Sequence, residues 1–421
     1  MLHILYISYD GMTDPLGQSQ VIPYLQGIVR QMGCRITLLS CEKPERFAQQ
    51  RNFIYDLLEL DAIEWKPIFF TVSSKPLDKF RDLWHIWQQA VDIYNKTPYQ
   101  IVHCRSYVAG YVGTWAKKRF GIKLLFDMRG FWVDERVEGG IWDMNKRFYK
   151  IAYRFAKSAE AHLIRQSDAI VCLTDAAKRE IENWAAYKKK PVYIEVIPCS
   201  ADFAHFLPTN AEKKREARIL LGINEAKKHL HEAGLRDSLV LCYVGSLGTW
   251  YMLDEMLALF AHIKRIYTDA RFLFLTHDTV VLSEKISKYD IPPDALIIRS
   301  AQRAEMPLLL CAADILVSFI KPSYAKKASS PVKMGEALAV GIPLIVNNGV
   351  GDVAEVVQKM QCGVVIDIAQ IPKIYDKVLI QIPQLLEMNA TDIRKNAEAY
   401  YLLDNAIDKY VNLYKIILKN K

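Results

Sequence analysis

Several common chemical signatures are missing from this 421-residue sequence. Its eight cysteines (34, 41, 104, 172, 199, 242, 311 and 362) stand singly, mostly inside apolar runs, with no CxxC pair. That excludes a disulfide scaffold and points to a reducing compartment. No DxD occurs, and the histidines and cysteines lack ligand spacing, so neither a metal nor another cofactor is expected. GxGxxG is absent and no acidic residue follows the second strand candidate in the expected place, which argues against a dinucleotide fingerprint. No run approaches the ~18 apolar residues of a membrane span. "MLHILYIS" lacks the basic flank and cleavage site of a signal peptide, and a cytoplasmic location is expected. No short-period repeat, low-complexity tract or nucleic-acid-binding motif is visible, and nucleic acid is not an expected partner.

What is present is a globular composition, 51% hydrophobic and 24% charged, long enough for two or three domains. The net charge of +8 permits attraction to phosphates or an anionic surface. Short apolar runs alternate with helical stretches. Strand candidates fall at 3–8, 35–41, 62–70, 100–106, 123–129, 169–174 and 192–198, and again at 239–245, 271–277, 296–301, 315–320, 343–348 and 363–368. Continuous apolar strands separated by helices imply parallel sheets covered on both faces. A polar, strandless stretch over 200–238 divides the two sets, and thirteen strands are too many for one doubly wound sheet. The expected fold is therefore α/β, with two doubly wound, Rossmann-like domains facing a cleft, over 1–199 and 200–390. Residues 391–421 carry an amphipathic helix pattern through Ile407, Val411, Tyr414 and Leu418.

Open parallel sheets bind ligands beyond the carboxyl ends of their strands, where helix N-termini favour anions. In the first half, Gly11, Pro15 and Gly17 form a loop ahead of a helix beginning near Gln18. Gly17 suits close approach of a ligand, or simply turn geometry. At the matching point of the second half, "YVGSLGTWYML" gives a glycine turn at Gly245 and Gly248, then a helix from about Tyr251. In "ASSPVKMGEALAVGIPLIVNNGVGD", Ser329, Ser330 and Pro331 precede another helix, and Lys333 adds charge. Amides and hydroxyls there suit a phosphate. Glu336, read onto the first turn of that helix, repels phosphate but accepts hydrogen bonds from a diol, which suggests a phosphate attached to a sugar. Compensation of the helix dipole is the competing reading.

The whole chain resembles a retaining glycosyltransferase of family 4 with the two-domain GT-B fold. The resemblance is carried by "ILYISYDGMTDPLGQSQ", "SDAIVCLTDAAKREI", "VIPCSADFAHF", "YVGSLG" and, most specifically, "EALAVGIPLIVNNGVGDVAEVV". It implies that the last segment binds a nucleotide-sugar donor, that Glu336 holds the ribose, and that the C-terminal helix crosses back onto the first domain. It also implies front-face transfer, in which the leaving diphosphate accepts the acceptor's proton. Two departures stand out. Ala328 occupies the place of the family's first glutamate, and Ser246 and Tyr251 stand near its usual arginine and lysine. Lys333, or else Lys321, Lys326 or Lys327, is the expected replacement for neutralising the diphosphate.

Catalysis is thus assigned to Lys333 and Glu336, and donor binding to Gly17, Gly245, Ser246, Ser329, Ser330, Lys333 and Glu336. The charged and aromatic segment after the fifth strand, with His103 ending the fourth, offers acceptor contacts at His103, Asp127 and Arg129; a salt-bridge network is the alternative. The expected acceptor is a saccharide or a lipid-linked saccharide. Residues 141–166 carry six Lys or Arg against two acids, interleaved with aromatics. Such a helix suits an anionic bilayer, or packs by one face with its basic face solvated. Two other classes share the expected architecture, a non-catalytic sugar-binding protein and a nucleotide-sugar epimerase.

Overall fold

A computed structural model describes residues 1–69, 71, 76–223 and 238–419, with side chains for all of these except 76–79. The chain forms two compact units. One comprises Met1–Ser200, Lys327–Ser329 and Leu403–Lys421; the other comprises Ala201–Lys326 and Ser330–Leu402.

The first unit is built on a seven-stranded sheet: β1 (His3–Ser8), β2 (Arg35–Glu42), β3 (Glu64–Phe69), β4 (Ile101–Arg105), β5 (Lys123–Asp127), β6 (Ala169–Cys172) and β7 (Tyr193–Val196). Their order is β3-β2-β1-β4-β5-β6-β7, all parallel. The central strands β1, β4 and β6 are buried at every residue, while the edge strands β3 and β7 are partly exposed. This is why the central strands read as unbroken apolar runs. The third strand candidate ends at Phe69, and its last residue, 70, lies outside the described residues.

The second unit has six parallel strands: β8 (Val240–Val244), β9 (Arg271–Leu275), β10 (Leu296–Arg299), β11 (Ile315–Ser318), β12 (Leu344–Asn347) and β13 (Gly363–Ile366). Their order is β10-β9-β8-β11-β12-β13. The strandless stretch read over 200–238 is helical at Ala211–Leu220, where Asn210 caps the helix by accepting from the Lys213 amide. Its part from 224 to 237 lies outside the described residues.

The C-terminal segment is two helices rather than one. Ala390–Tyr401 packs on Val332–Val340 in the second unit, and Leu403–Lys419 packs on Ile22–Met32 in the first. Leu402 separates them in extended geometry, where it bridges Ala201. The final helix buries Ile407, Tyr410, Val411, Tyr414 and Ile417 in the core under β1 and β2. Leu418, the fourth residue of the sequence pattern, stays exposed. Among the described residues no helix is long and apolar enough to cross a membrane.

Candidate active site

In each sheet the strand order reverses beside the first strand of its unit, between β1 and β4 and between β8 and β11. Such switch points open a crevice at the carboxyl ends of the strands.

In the second unit β8 runs directly into Gly245, whose φ of 110° is a backbone state that side chains rarely adopt. A Cβ there would lie 3.2 Å from Lys333 Nζ. Lys333 sits in the first turn of the Val332–Val340 helix and is buried. Its ammonium lies 4.1 and 4.0 Å from the ring centroids of Tyr243 and Tyr251, and it donates to the Tyr243 hydroxyl at 3.0 Å. That hydroxyl in turn donates to the Ser246 carbonyl. Tyr251 is fixed because the Trp250–Met252 segment is strapped to β11's exit: Lys321 N–H donates to Trp250 O at 2.8 Å, and Met252 N–H to Phe319 O at 3.0 Å. The helix expected from about Tyr251 therefore starts at Leu253. Burial lowers the Lys333 pKa to about 7, against the pull of Glu336 and Cys242. A lysine held in this state regains its proton most readily when an anion arrives.

Glu336 is not on the first turn. It is the fifth residue of a helix that begins at Val332, and the first turn holds no acid. The dipole effect fades beyond that turn, so compensation of the dipole is a weak reason for a carboxylate here. Burial raises the Glu336 pKa to about 7, while Arg303 and Lys333 pull it down. Arg303 approaches its Oε1 at 3.5 Å. Among the described residues no side chain caps this helix, and its N-cap is Pro331. Met334 N–H donates to the Pro331 carbonyl at 3.2 Å, which leaves the Val332 and Lys333 amides of the first turn to face an anion.

The other lysines are placed differently. Lys327 pairs with Glu180 at 2.6 Å in the first unit, and Lys326 lies 4.1 Å from the Trp250 ring centroid. Lys321 is exposed. Ser246 is exposed, whereas Ser329 and Ser330 are half-buried and fall in different units. Ala328 is buried, closing a 3-10 turn over Ala325–Ala328.

In the first unit the loop after β1 is held by a residue that sequence reasoning missed. Glu42 ends β2, contrary to the reading that no acid stands there, and is fully buried. Its carboxylate accepts from Met12 N–H at 2.7 Å, Thr13 N–H at 3.1 Å, and the Thr13 and Ser40 hydroxyls at 2.6 Å each. The acid at the end of the second strand thus organises its own neighbouring loop. Its signal was a lone charge ending an apolar strand. The helix expected near Gln18 begins at Pro15, so Gly17 is helical rather than in the loop. A Cβ on Gly17 would lie 2.2 Å from the Gly11 carbonyl oxygen, and this backbone approach accounts for the glycine without a ligand.

The residues read as acceptor contacts are buried in internal bonds. His103 Nδ1 lies 2.6 Å from the Tyr414 hydroxyl, and Asp127 accepts from the Tyr410 hydroxyl at 2.9 Å. Burial lowers the His103 pKa; burial raises that of Asp127, but Arg129 and His103 outweigh this and hold it at about 2. Both side chains serve the seat of the last helix. Arg129 donates to Cys199 Sγ at 3.2 Å and lies 3.6 Å from Asp127. Arg129 and Ser106 have φ of 55° and 67°, two strained non-glycine positions just beyond β5 and β4. Asp134 is bonded to Tyr153 and Lys157, and Trp132 stacks on Tyr107 under Arg136. The segment after β5 is therefore largely a self-satisfied network. Among the described residues no group of three or more His, Cys, Asp or Glu could hold a metal ion.

Two family models match the chain: Glycosyltransferase Family 4 over residues 17–205, and Glycosyl transferases group 1 over residues 226–398. No curated protein matches the sequence. Solved structures match over nearly the full length. Sucrose-phosphate synthase from Thermosynechococcus elongatus is 13% identical with a TM-score of 0.71, covering 100% of both chains. Anabaena HepE, solved with UDP and glucose, is 13% identical with a TM-score of 0.68, covering 99% of this chain and 100% of its own. WaaG, a glycosyltransferase involved in lipopolysaccharide biosynthesis, is 15% identical with a TM-score of 0.65, covering 96% and 98%. With both family models placed on the two parallel-sheet units, the chain belongs to the GT-B glycosyltransferases as a family 4-like member.

Proposed function

We propose that this glycosyltransferase takes a sugar from a nucleotide-sugar donor and passes it, with retention of anomeric configuration, to a saccharide or lipid-linked acceptor in cell-surface polysaccharide or glycoconjugate assembly. The observation that carries the donor reading is the Lys333 ammonium, held between Tyr243 and Tyr251 against the Gly245 turn. It lies at the N-terminus of the Val332–Val340 helix, and Glu336 stands one turn further in. The Lys333 ammonium with the Val332 and Lys333 amides takes the diphosphate, and Glu336 takes the ribose diol. That a similar fold holds UDP-glucose in HepE supports a nucleotide-sugar ligand.

The mechanism follows from what these groups can do. As the glycosidic bond to the diphosphate breaks, negative charge grows on the leaving oxygens, and a preformed cation with aligned amides stabilises that charge. Lys333 replaces the basic pair missing at Ser246 and Tyr251, with Tyr251 supplying a ring where a lysine is usual. The leaving diphosphate accepts the acceptor's proton, so no protein base is assigned, and no metal is assigned. Ser246 and Ser330 complete the donor contacts through hydroxyls and amides. Arg129 remains an acceptor-side candidate at its strained strand end, and the enzyme works at the inner face of the membrane.

Calorimetry with a panel of nucleoside diphosphates tests the donor site. Glu336→Gln keeps the shape and removes the charge, so it should weaken the best binder about tenfold or more, since a charged hydrogen bond contributes roughly 1.5 to 3 kcal/mol. Its melting temperature should stay within a few degrees. Unchanged affinity with a lowered melting temperature would make Glu336 a structural residue only.

A further inference from the structure

Large apolar side chains stand in water on the Arg147–Gln166 helix. Phe148, Ile151 and Phe155 are 65%, 67% and 76% exposed, spaced three and four apart on one stripe. Beside them Arg147, Lys150 and Arg154 form an exposed basic stripe, preceded by the exposed Lys146. No acid occurs between Asp143 and Glu160. The buried face of the helix is separate, through Ala156, Glu160, Leu163 and Ile164. The helix is shorter than the 141–166 read from sequence, because an Asx turn from Asp143 to the Asn145 amide precedes its N-cap at Lys146.

A second exposed pair lies in the same helical layer. Phe80 and Trp84, four residues apart on Pro76–Lys96, are 63% and 47% exposed. Pro76–Lys96 packs on Ser106–Phe120, which packs on Arg147–Gln166. Helices that connect parallel strands return antiparallel to them, so the N-terminal halves of both outer helices lie toward the carboxyl edge of the sheet. The loop after β1 and the strained residues after β4 and β5 leave from that same edge.

We propose that the N-terminal half of Arg147–Gln166, together with Phe80 and Trp84 of Pro76–Lys96, forms a docking face for an anionic lipid bilayer. Phe148, Ile151 and Phe155 enter the headgroup boundary, and the neighbouring basic stripe meets the lipid phosphates. On Arg147–Gln166 an apolar stripe flanked by cations with no acid between Asp143 and Glu160 matches the chemistry of such a surface, an apolar layer under a negative one. A soluble protein partner would have to be acidic around an apolar centre, and a second copy of this chain would oppose cation to cation. The proposal rests on the lipid-linked acceptor of the proposed function, since it brings the β1, β4 and β5 edge to the membrane.

The test is co-sedimentation of the full chain with vesicles of phosphatidylcholine, alone or mixed with phosphatidylglycerol. Mixed vesicles should bind the protein, with affinity falling at least about tenfold as salt is raised, because exposed charges are screened. Phe148→Ser/Ile151→Ser/Phe155→Ser should reduce binding at least about tenfold while leaving the melting temperature and nucleoside diphosphate affinity unchanged. Equal binding by wild type and variant, or no binding of the wild type to mixed vesicles at low salt, overturns the proposal. So does a wild-type dimer that the triple variant converts to a monomer without any vesicle binding. Nucleoside diphosphate affinity on the same samples separates these failures from failure of the donor reading.

Discussion

Replacing Lys333 by methionine should make the protein more stable and less able to bind its donor. The ammonium is buried, and its pKa falls from an ordinary 10.5 to about 7. At about 1.36 kcal/mol per unit, that displacement bounds the cost of keeping the charge near neutral pH at roughly 4 to 5 kcal/mol. Two rings within 4.1 Å return part of this, since a cation over an aromatic face gains about 0.5 to 2 kcal/mol. Methionine keeps the stem, drops the charge and packs against the tyrosines. The expected net gain is about 1 to 3 kcal/mol, or roughly 3 to 10 °C in melting temperature. The sign with pH follows from the lowered pKa. Between about 7 and 10.5 the unfolded chain binds the proton that the folded one has released, so wild-type stability rises through that window. The advantage of Lys333→Met is therefore largest below pH 7 and shrinks toward 10.5. Binding moves the other way. Nucleoside diphosphate needs the ammonium, so wild-type affinity should decline above about pH 7 with proton uptake on binding, and decline below it as Glu336, whose pKa is also about 7, takes a proton. Scanning calorimetry gives stability, and titration calorimetry in buffers of different ionisation enthalpy gives affinity and protons. A Lys333→Met protein that melts lower and binds nucleoside diphosphates as tightly as wild type would refute the reasoning.

Two further changes probe the first unit. Glu42→Gln places an amide against donors that the carboxylate now accepts, so it should cost about 1 to 3 kcal/mol in chemical denaturation, with the Gly11–Thr13 loop losing hydrogen-exchange protection; an unchanged midpoint would mean the loop holds itself. Tyr410→Phe removes the hydroxyl donated to buried Asp127 and should destabilise by a similar amount while sparing nucleoside diphosphate affinity, measured by titration; a loss of affinity instead would tie that buried network to the donor site.

The sequence by itself located the thirteen strands of the described residues, most clearly the central ones, because a strand buried on both faces of a parallel sheet is apolar through most of its length, and such runs are legible without partners. It also determined the glycine turn at Gly245 and the helix after Pro331, since φ near 110° and a helix start each demand particular residues. Side-chain partnerships across strands were decided only by the tertiary structure. Lys333 meets Tyr243, 90 residues away, and His103 meets Tyr414, 311 residues away, because sheet order brings them together. No local pattern encodes those distances. For the same reason His103 and Asp127, chosen for their chemistry at strand ends, turned out to seat the last helix, and the terminal helix broke at Leu402 although its apolar spacing runs on. Composition could mark the 141–166 segment as basic and aromatic, but which aromatics face water depended on which face the neighbouring helix had already covered.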